Sequence, residues 1–235
     1  MTADPHISPQ GLATADLFGG LPISVLEIVA AAARPRRFPR GTRIFNQGDE
    51  DARAHAVIEG GVRISQTGSD GAQVLMRFIG PGNIFGTVAL FTDGCYPADA
   101  TTLWETLEVS WGQPEMLDLM TRYPQIAINA VRIIGQRLQE MQNRMRELAT
   151  QRAERRIAHA LLRLAQQSGL STTAGTAIPF PLRRKDVADV AGTTLHTASR
   201  ILTGWEKAGL LVSQCRRLTI RNPSELLRIA EDAAD

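Results

Sequence analysis

The chain has 235 residues, of which 43% are hydrophobic and 21% are charged. This apolar share is enough for a buried core and excludes a wholly disordered chain. The two cysteines, Cys95 and Cys215, are too few for a four-cysteine zinc site or iron–sulfur cluster. No apolar run reaches the roughly 18 residues that cross a bilayer, and residues 1–8 lack the pattern of a secretory signal. We therefore expect a cytoplasmic protein that does not associate with membranes.

The net charge of +2 is unevenly distributed. Residues 151–235 contain 13 basic and 8 acidic side chains, net +5, whereas residues 1–150 contain 13 basic and 16 acidic ones, net −3. A basic C-terminal part on an acidic N-terminal part indicates a nucleic-acid-binding module joined to another domain. Ordinary scatter of surface charge gives similar totals, so this division needs support from motifs.

The N-terminal half predicts a flexible arm followed by a β-rich domain. Residues 1–20 are rich in small residues, and we expect a flexible arm there. Residues 22–33 have apolar side chains at helical spacing and predict a short helix, which the prolines of residues 34–40 end. Within residues 41–111, about seven short β-branched segments alternate with turn residues. This pattern is typical of an antiparallel sandwich or β-roll, and we place this β-rich domain at residues 21–121.

A long helix is predicted from Pro124, with a narrow apolar stripe along one side. The stripe residues recur in steps of three and four, while polar side chains occupy the other positions. They are Val131, Ile134, Leu138, Met141, Met145 and Leu148. Such a stripe either packs on its own domain or pairs with a second copy of the helix. We favour a homodimer and assign residues 122–150 to dimerisation.

A helix-turn-helix pattern follows at residues 183–211. The first helix is predicted at about residues 185–190, and Gly192 supplies a turn residue that tolerates positive φ. The Thr194 hydroxyl can cap a second helix that ends near residue 208. The preceding residues 168–176 predict a flexible loop. Two helices joined by so short a turn are typical of a DNA-binding module.

A basic hairpin after the second helix predicts a wing, which makes residues 151–235 a winged helix-turn-helix domain. Between residues 183 and 221, eight basic side chains stand against three acidic ones. A plain helical hairpin with solvated charges is the alternative. We favour double-stranded DNA as the partner, with phosphate and base contacts from the second helix and the start of the first. The predicted contacts are Arg184, Lys185, Thr194, His196, Thr197 and Arg200.

The order of these parts resembles the Crp/Fnr family of transcription regulators over roughly residues 17–230. The supporting motifs are GDEDARAHAVIEGGVRIS, FIGPGNIFG and SRILTGWEKAGLL. The resemblance implies an α+β fold with an N-terminal β-roll of the cyclic-nucleotide-binding type, a long dimerisation helix and a C-terminal winged helix-turn-helix domain. It also implies an inverted-repeat operator and activation through contact with RNA polymerase.

We expect no enzymatic activity, because the chain has no phosphate-binding loop, no GxGxxG and no catalytic-triad spacing. A cupin-like metalloenzyme is the remaining enzymatic alternative. Cupin-like sites need clustered histidine and glutamate ligands, and the β-rich part has one histidine, His55, and no H-x-H pair. This composition disfavours the alternative.

Departures from the family pattern bear on the effector. Members that bind cyclic AMP carry a Glu and an Arg in the stretch that holds the ribose and the phosphate. Thr87 and Pro97 stand at those positions here. A buried phosphate without a cation would be uncompensated, so we expect no cyclic AMP. The N-terminal cysteine cluster of the iron–sulfur sensors is also missing, which excludes that cofactor.

The segment TTLHTASRIL resembles the nitric-oxide-responsive denitrification regulators of the family, the NnrR-like branch. This resemblance implies activation of nitrogen-oxide genes, an operator with TTG and CAA arms, and a haem sensor. Neutral imidazole is a good iron ligand, so His55 and His6 are the candidate haem ligands. Two alternatives remain open, namely a regulator without effector and one controlled by oxidation of Cys95 or Cys215.

Overall fold

The computed structural model describes residues 8–69, 71, 73–214 and 217–231. It has the expected α+β architecture, with a β-roll, a long helix and a helix-turn-helix domain. The chain divides into two compact units. Residues up to Gln73 together with Arg77–Glu140 form the first unit, and Val74–Met76 together with residues from Met141 onward form the second.

Ordered helices replace the flexible arm that we predicted for residues 8–20. The elements of this segment are helix α1 at Pro9–Ala13 and a 3₁₀ turn at Asp16–Phe18. Helix α2 follows at Ile23–Ala31, within the short helix predicted for residues 22–33. Leu12, Leu17 and Phe18 are buried, and the Phe18 ring lies edge-on to Trp111 with centroids 5.0 Å apart. The prediction was wrong for these residues because their few large apolar side chains pack into the core. His6 lies outside the described residues.

The roll consists of two four-stranded sheets, whose strand orders are β1-β8-β3-β6 and β2-β7-β4-β5. Neighbouring strands with a defined register are antiparallel. The strands are β1 Arg34–Phe38, β2 Arg43–Phe45, β3 Arg53–Glu59, β4 Val62–Thr67, β5 Gln73–Ile79, β6 Ile84–Phe85, β7 Asp99–Thr102 and β8 Thr106–Gly112. The predicted β-roll is confirmed.

Strand β1 was not predicted, because two prolines occur within residues 34–40. The strand pairs with β8 from Arg34 opposite Ser110 to Phe38 opposite Thr106. It lies at the edge of its sheet, where a proline removes no required ladder hydrogen bond. The buried Phe38 then fixes which face of the strand points inwards.

Two further helices complete the roll, α3 at Thr87–Phe91 and α4 at Gln113–Arg122. The core beneath them centres on Trp111, which is fully buried at the end of β8. Its indole Nε1 donates a hydrogen bond to the backbone carbonyl of Val29 at 2.9 Å. A buried indole N–H needs such a partner, so this bond fixes α2 against the sheet.

Helix α5 spans Pro124–Thr150 and carries the predicted apolar stripe. All six stripe residues are between 50 and 69% exposed. The division between the two units falls at residue 140, inside this helix, whereas we placed domain boundaries at residues 121 and 150. No helix in the described part of the chain is long and apolar enough to cross a membrane.

The second unit contains helices and one four-stranded sheet of order β11-β12-β10-β9. Its elements are α6 Ala153–Ser168, β9 Leu170–Thr172, β10 Gly175–Ile178, α7 Arg184–Ala191, α8 Leu195–Lys207, β11 Leu211–Gln214, β12 Arg217–Ile220 and α9 Pro223–Glu231. The segment that we predicted as a flexible loop forms the β9–β10 hairpin, in which Thr172 pairs with Gly175. That prediction was wrong because β10 also pairs with β12.

Candidate nucleic-acid interface

The turn between α7 and α8 depends on Gly192. Its φ of 60° and ψ of 46° are left-handed, a conformation that favours glycine. A Cβ at this position would also overlap the Leu148 side chain of α5. The left-handed backbone therefore favours glycine here, and the predicted tight turn is confirmed.

Helix α8 begins with the cap that the sequence predicts. The Thr194 hydroxyl accepts a hydrogen bond from the backbone N–H of Thr197 at 3.2 Å, which satisfies one of the open N–H groups of the first turn. One face of the helix is buried and consists of Ala198, Ile201, Leu202 and Trp205. This buried face fixes the orientation of α8 on the rest of the second unit.

The opposite face of α8 exposes predicted DNA contacts. Thr194, His196 and Arg200 are exposed, and Thr197 is half-buried. Leu195, the first residue of the helix, is 52% exposed and was not among the predicted contacts. Helical spacing places it on the same side as the buried Leu202, seven residues later, so periodicity alone does not identify it as an exposed residue.

Arg184, which we predicted to bind phosphate, joins α7 to α8. Its Nη1 donates to the Ser199 carbonyl at 2.7 Å and to the Thr203 hydroxyl at 2.9 Å. Its Nη2 donates to Glu206 Oε2 at 2.9 Å. A guanidinium used in this way holds α8 at its angle to α7, and its contact with phosphate stays a prediction.

Lys185, which we also predicted to contact DNA, is exposed and paired with Asp189. Its Nζ lies 3.0 Å from Asp189 Oδ1, and the lysine side chain is 53% exposed. An exposed ion pair of this kind contributes only about 0.2–1 kcal/mol, so a phosphate can replace Asp189. The neighbouring Arg183 donates from its backbone N–H, Nε and Nη2 to the Asp186 carboxylate, and this hydrogen bonding raises the pKa of Arg183.

Strands β11 and β12 form the predicted wing. Their register runs from Leu211 opposite Ile220 to Gln214 opposite Arg217. The tip of this hairpin, residues 215–216, lies outside the described residues, so Cys215 is not placed. The wing shares its sheet with the β9–β10 hairpin and is thereby held on the body of the second unit.

Arg156 organises the interface and was missed by sequence reasoning. Its Nε and Nη2 donate to the carbonyls of Ala191 and Gly192, each at 3.0 Å. Its Nη1 donates to the Gln151 carbonyl at 2.8 Å. Arg156 therefore ties the start of α6 to the turn before α8. No motif distinguishes it from the other arginines of this helix.

Two family models match this chain. The cyclic nucleotide-binding domain matches residues 35–123, and the Crp-like helix-turn-helix domain matches residues 155–229. The chain belongs to the Crp/Fnr family of transcription regulators. Members of this family bind DNA and act as dimers.

Several proteins resemble this Crp/Fnr regulator over most of its length. The CRP-like cAMP-activated global transcriptional regulator of Mycobacterium tuberculosis is 28% identical over 218 residues, which cover 89% of this chain and 97% of that protein. The nitrogen fixation regulation protein FixK of Azorhizobium caulinodans is 29% identical, covering 86% and 82%. The solved structure of FixK2 from Bradyrhizobium japonicum superimposes with a TM-score of 0.73 at 24% identity, covering 86% and 99%.

Inside the roll of this Crp/Fnr regulator, His55 is buried and bonded through both ring nitrogens. Its Nδ1 lies 3.0 Å from Glu108 Oε2, and its Nε2 lies 3.0 Å from the Tyr96 hydroxyl. Burial raises the pKa of Tyr96 to about 12. The Phe45 ring stacks on Tyr96 with centroids 3.7 Å apart, and Phe85 stacks on His55 at 4.9 Å. Side chains of the roll itself therefore fill this space.

These contacts do not fit His55 as a haem ligand. Iron binds imidazole through a ring nitrogen, and both nitrogens of His55 already face polar partners. Phe45 and Phe85 occupy the room that a porphyrin would need beside the ring. The second candidate, His6, lies outside the described residues. The described residues also contain no group of three His, Cys, Asp or Glu side chains that could hold a metal ion.

The positions that would hold a cyclic nucleotide do not fit one either. Thr87 accepts a hydrogen bond from Arg137 Nη1 at 3.4 Å, and Arg137 Nη2 donates to the Ile84 carbonyl at 2.7 Å. Arg137 is thus anchored to the roll. The adjacent apolar cavity between α3 and α5 has a volume of about 10 Å³, which is room for one water molecule.

Cys95 has the environment of an unreactive thiol. Desolvation, followed by the negative charges of Asp93 and Glu50, raises the pKa of the Cys95 thiol. A raised pKa leaves less of the thiolate that reacts with oxidants. These surroundings disfavour the redox alternative at Cys95.

Proposed function

We propose that this Crp/Fnr regulator binds an inverted-repeat operator as a homodimer, with the α8 helix of each copy in the major groove. The observation that carries this proposal is the surface of α8. One face is buried, while His196 and Arg200 are exposed on the other, directly after a capped helix start. Helix-turn-helix proteins place the N-terminal part of the second helix against base edges.

The exposed side chains suit specific contacts in this groove. The Arg200 guanidinium can donate two hydrogen bonds to O6 and N7 of a guanine. His196 can contact a neighbouring base, and Thr194, Thr197 and Lys185 can contact phosphates. The TTG and CAA arms implied by the resemblance offer guanine at one position of each half-site.

The exposed stripe of α5 supports dimerisation. Six large apolar side chains in one line remain at least half exposed in the single chain. Contiguous apolar surface of this kind marks an interaction site, and steps of three and four residues suit a second helix of the same pattern. Pairing two copies would present two α8 helices to half-sites about 34 Å apart.

We propose nitric oxide as the signal and activation of denitrification genes through RNA polymerase as the output. Both proposals rest on the resemblance of TTLHTASRIL alone. The name of the Azorhizobium relative, which refers to nitrogen fixation, supports a role in nitrogen metabolism. Haem at His55 is not part of the proposal. A regulator without effector is the second candidate, because the roll interior is filled and the cavity beside α5 holds about 10 Å³.

Selection from random DNA with purified protein tests the proposal. We expect enrichment of an inverted repeat with TTG and CAA arms, and failure to enrich any repeat would contradict the proposal. Affinity for the selected operator is then measured with and without nitric oxide, before and after titration with haem. A change in affinity supports nitric oxide sensing, whereas unchanged affinity in all four states supports the regulator without effector.

A further inference from the structure

An apolar side chain interrupts the polar surface of α8. Leu195 is the first residue of the helix and is 52% exposed, whereas Leu202, two turns further along the same side of the helix, is buried. Both neighbours in sequence, Thr194 and His196, are exposed polar residues. A single exposed leucine needs no explanation on an ordinary surface. Here it lies in the first turn of the helix that we propose to enter the groove.

The two hydroxyl groups nearest to Leu195 bond to each other in the first turn of the helix. Thr194 Oγ1 accepts from the backbone N–H of Thr197 at 3.2 Å and lies 3.0 Å from Thr197 Oγ1. These bonds hold the first turn and fix the direction of the Leu195 backbone. At its own position, therefore, the helix can offer a base edge only an apolar contact.

We propose that Leu195 packs on the C5-methyl group of a thymine and selects a T·A pair at one position of each half-site. Thymine is the one base that presents a methyl group in the major groove. Against any other base edge, leucine would leave a hydrogen-bonding group without water or a partner. The same residue therefore favours thymine and penalises its competitors. This inference rests on the proposed function, because it requires α8 to enter the groove.

We expect a small loss of affinity when the thymine methyl group is removed. One methyl group removed from an apolar contact weakens binding about fourfold, or ~0.8 kcal/mol. The operator has two half-sites, so removing both methyl groups should weaken binding roughly sixteenfold. The loss should be confined to one symmetric pair of positions.

Deoxyuridine substitution tests this contact by removing only the methyl group. The operator selected with the wild-type protein is synthesised with thymine replaced by uracil at one symmetric pair of positions at a time. Dissociation constants are measured by fluorescence anisotropy at fixed salt concentration for wild type and Leu195→Ala. We expect wild type to lose affinity at one pair of positions, and Leu195→Ala to be insensitive there while keeping any sensitivity elsewhere.

Leu227→Ala is the matched control, because Leu227 is 45% exposed on α9. This variant should show the wild-type pattern of methyl sensitivity. Circular dichroism should show that Leu195→Ala is folded, as expected for a half-exposed side chain. The assignment of Leu195 is wrong if wild type and Leu195→Ala lose the same affinity at every uracil position, or if neither protein loses affinity at any of them. Either result would leave the proposed binding to the operator unaffected. If no operator can be selected, the proposed function fails and this inference with it.

Discussion

The roll and the recognition helix use their polar side chains in opposite ways. In the roll, His55, Glu108 and Tyr96 are buried and contact one another. On α8, His196 and Arg200 are exposed, and neither side chain makes a hydrogen bond or ion pair to another described residue. These side chains are therefore available to a partner, whereas a ligand entering the roll would first have to displace contacts that the roll makes with itself.

The largest effect is expected from breaking the dimer. Replacing Leu138 and Met141 by Asp places charges in the apolar stripe and should give monomers. Operator affinity should fall by about 10²–10⁴-fold, because the second half-site no longer binds as part of the same complex. Sedimentation equilibrium and DNA titration measure the two effects.

The double variant Gln136→Asp and Asn143→Asp is the control for dimerisation. Both residues are exposed positions of α5 outside the stripe. This variant carries the same added charge and should remain dimeric. Monomers from the control, or dimers from the stripe variant, would contradict the assigned interface.

The next effect tests the buried contacts of the roll. Glu108→Ala removes the partner of His55 Nδ1 and should lower the free energy of unfolding by about 3 kcal/mol. Glu105→Ala is the control, since Glu105 is an exposed partner of Arg37 and should change the value by less than about 1 kcal/mol. Urea unfolding measures the free energy of unfolding of both variants. Equal losses in the two variants would show that the buried contact contributes little.

Arg184→Ala tests whether this side chain supports α8 or contacts a phosphate. Loss of its bonds to Ser199, Thr203 and Glu206 should lower the free energy of unfolding by about 1.5–3 kcal/mol. Binding to the operator and to random DNA should weaken by similar factors, because α8 loses its support. Unchanged stability together with a smaller salt dependence of DNA binding would restore Arg184 as a phosphate contact.

Arg200→Ala should have the opposite pattern. We expect unchanged stability and a loss of about 1–3 kcal/mol in discrimination at one base pair, because the exposed side chain makes no hydrogen bond or ion pair to another described residue and is proposed to contact a base. Arg228→Ala, which removes an exposed arginine of α9, should leave specificity unchanged. Competition titrations with operators altered at each base pair measure the discrimination at that pair. Equal losses on operator and random DNA would make Arg200 a phosphate contact.

The smallest effect concerns pH. Burial is the largest cause lowering the pKa of His159, and the cations Arg163 and Arg155 add to it against the opposing Glu147. The unfolded chain, with an ordinary pKa near about 6.5, then binds protons more readily. Stability should be full above that pH and should decrease as the pH falls towards the lowered pKa of the folded state. Urea unfolding between pH 5 and 8 measures this loss of stability, which should be smaller in His159→Gln than in wild type. Identical pH profiles for the two proteins would contradict the role of His159.

The sequence predicted the second unit better than the first. The capping hydroxyl of Thr194, the glycine turn and the inward face of α8 follow from local rules, so they could be predicted. Strand β1 was missed because the edge position that tolerates its prolines is a property of the whole sheet. The order of residues 8–20 and the β9–β10 hairpin were missed for the same reason, since distant segments stabilise both.

In the candidate site, too, local patterns predict some features, whereas others depend on distant residues. Exposure of His196 and Arg200 follows from helical periodicity, which the sequence contains. The roles of Arg184 and Arg156 depend on which carbonyls lie within reach, and that is set by the angles between helices. The engagement of His55 by Glu108 and Tyr96 joins residues more than 40 positions apart, which no local pattern reveals.

The central claim is that two α8 helices of one dimer bind two half-sites together. It is tested most directly by comparing the selected operator with one in which five base pairs are inserted between the half-sites. The insertion rotates one half-site by about half a helical turn while leaving every base contact intact. Our account predicts a loss of at least about 10²-fold in affinity. Equal affinity for the two DNAs would show that the half-sites are bound independently and would contradict it.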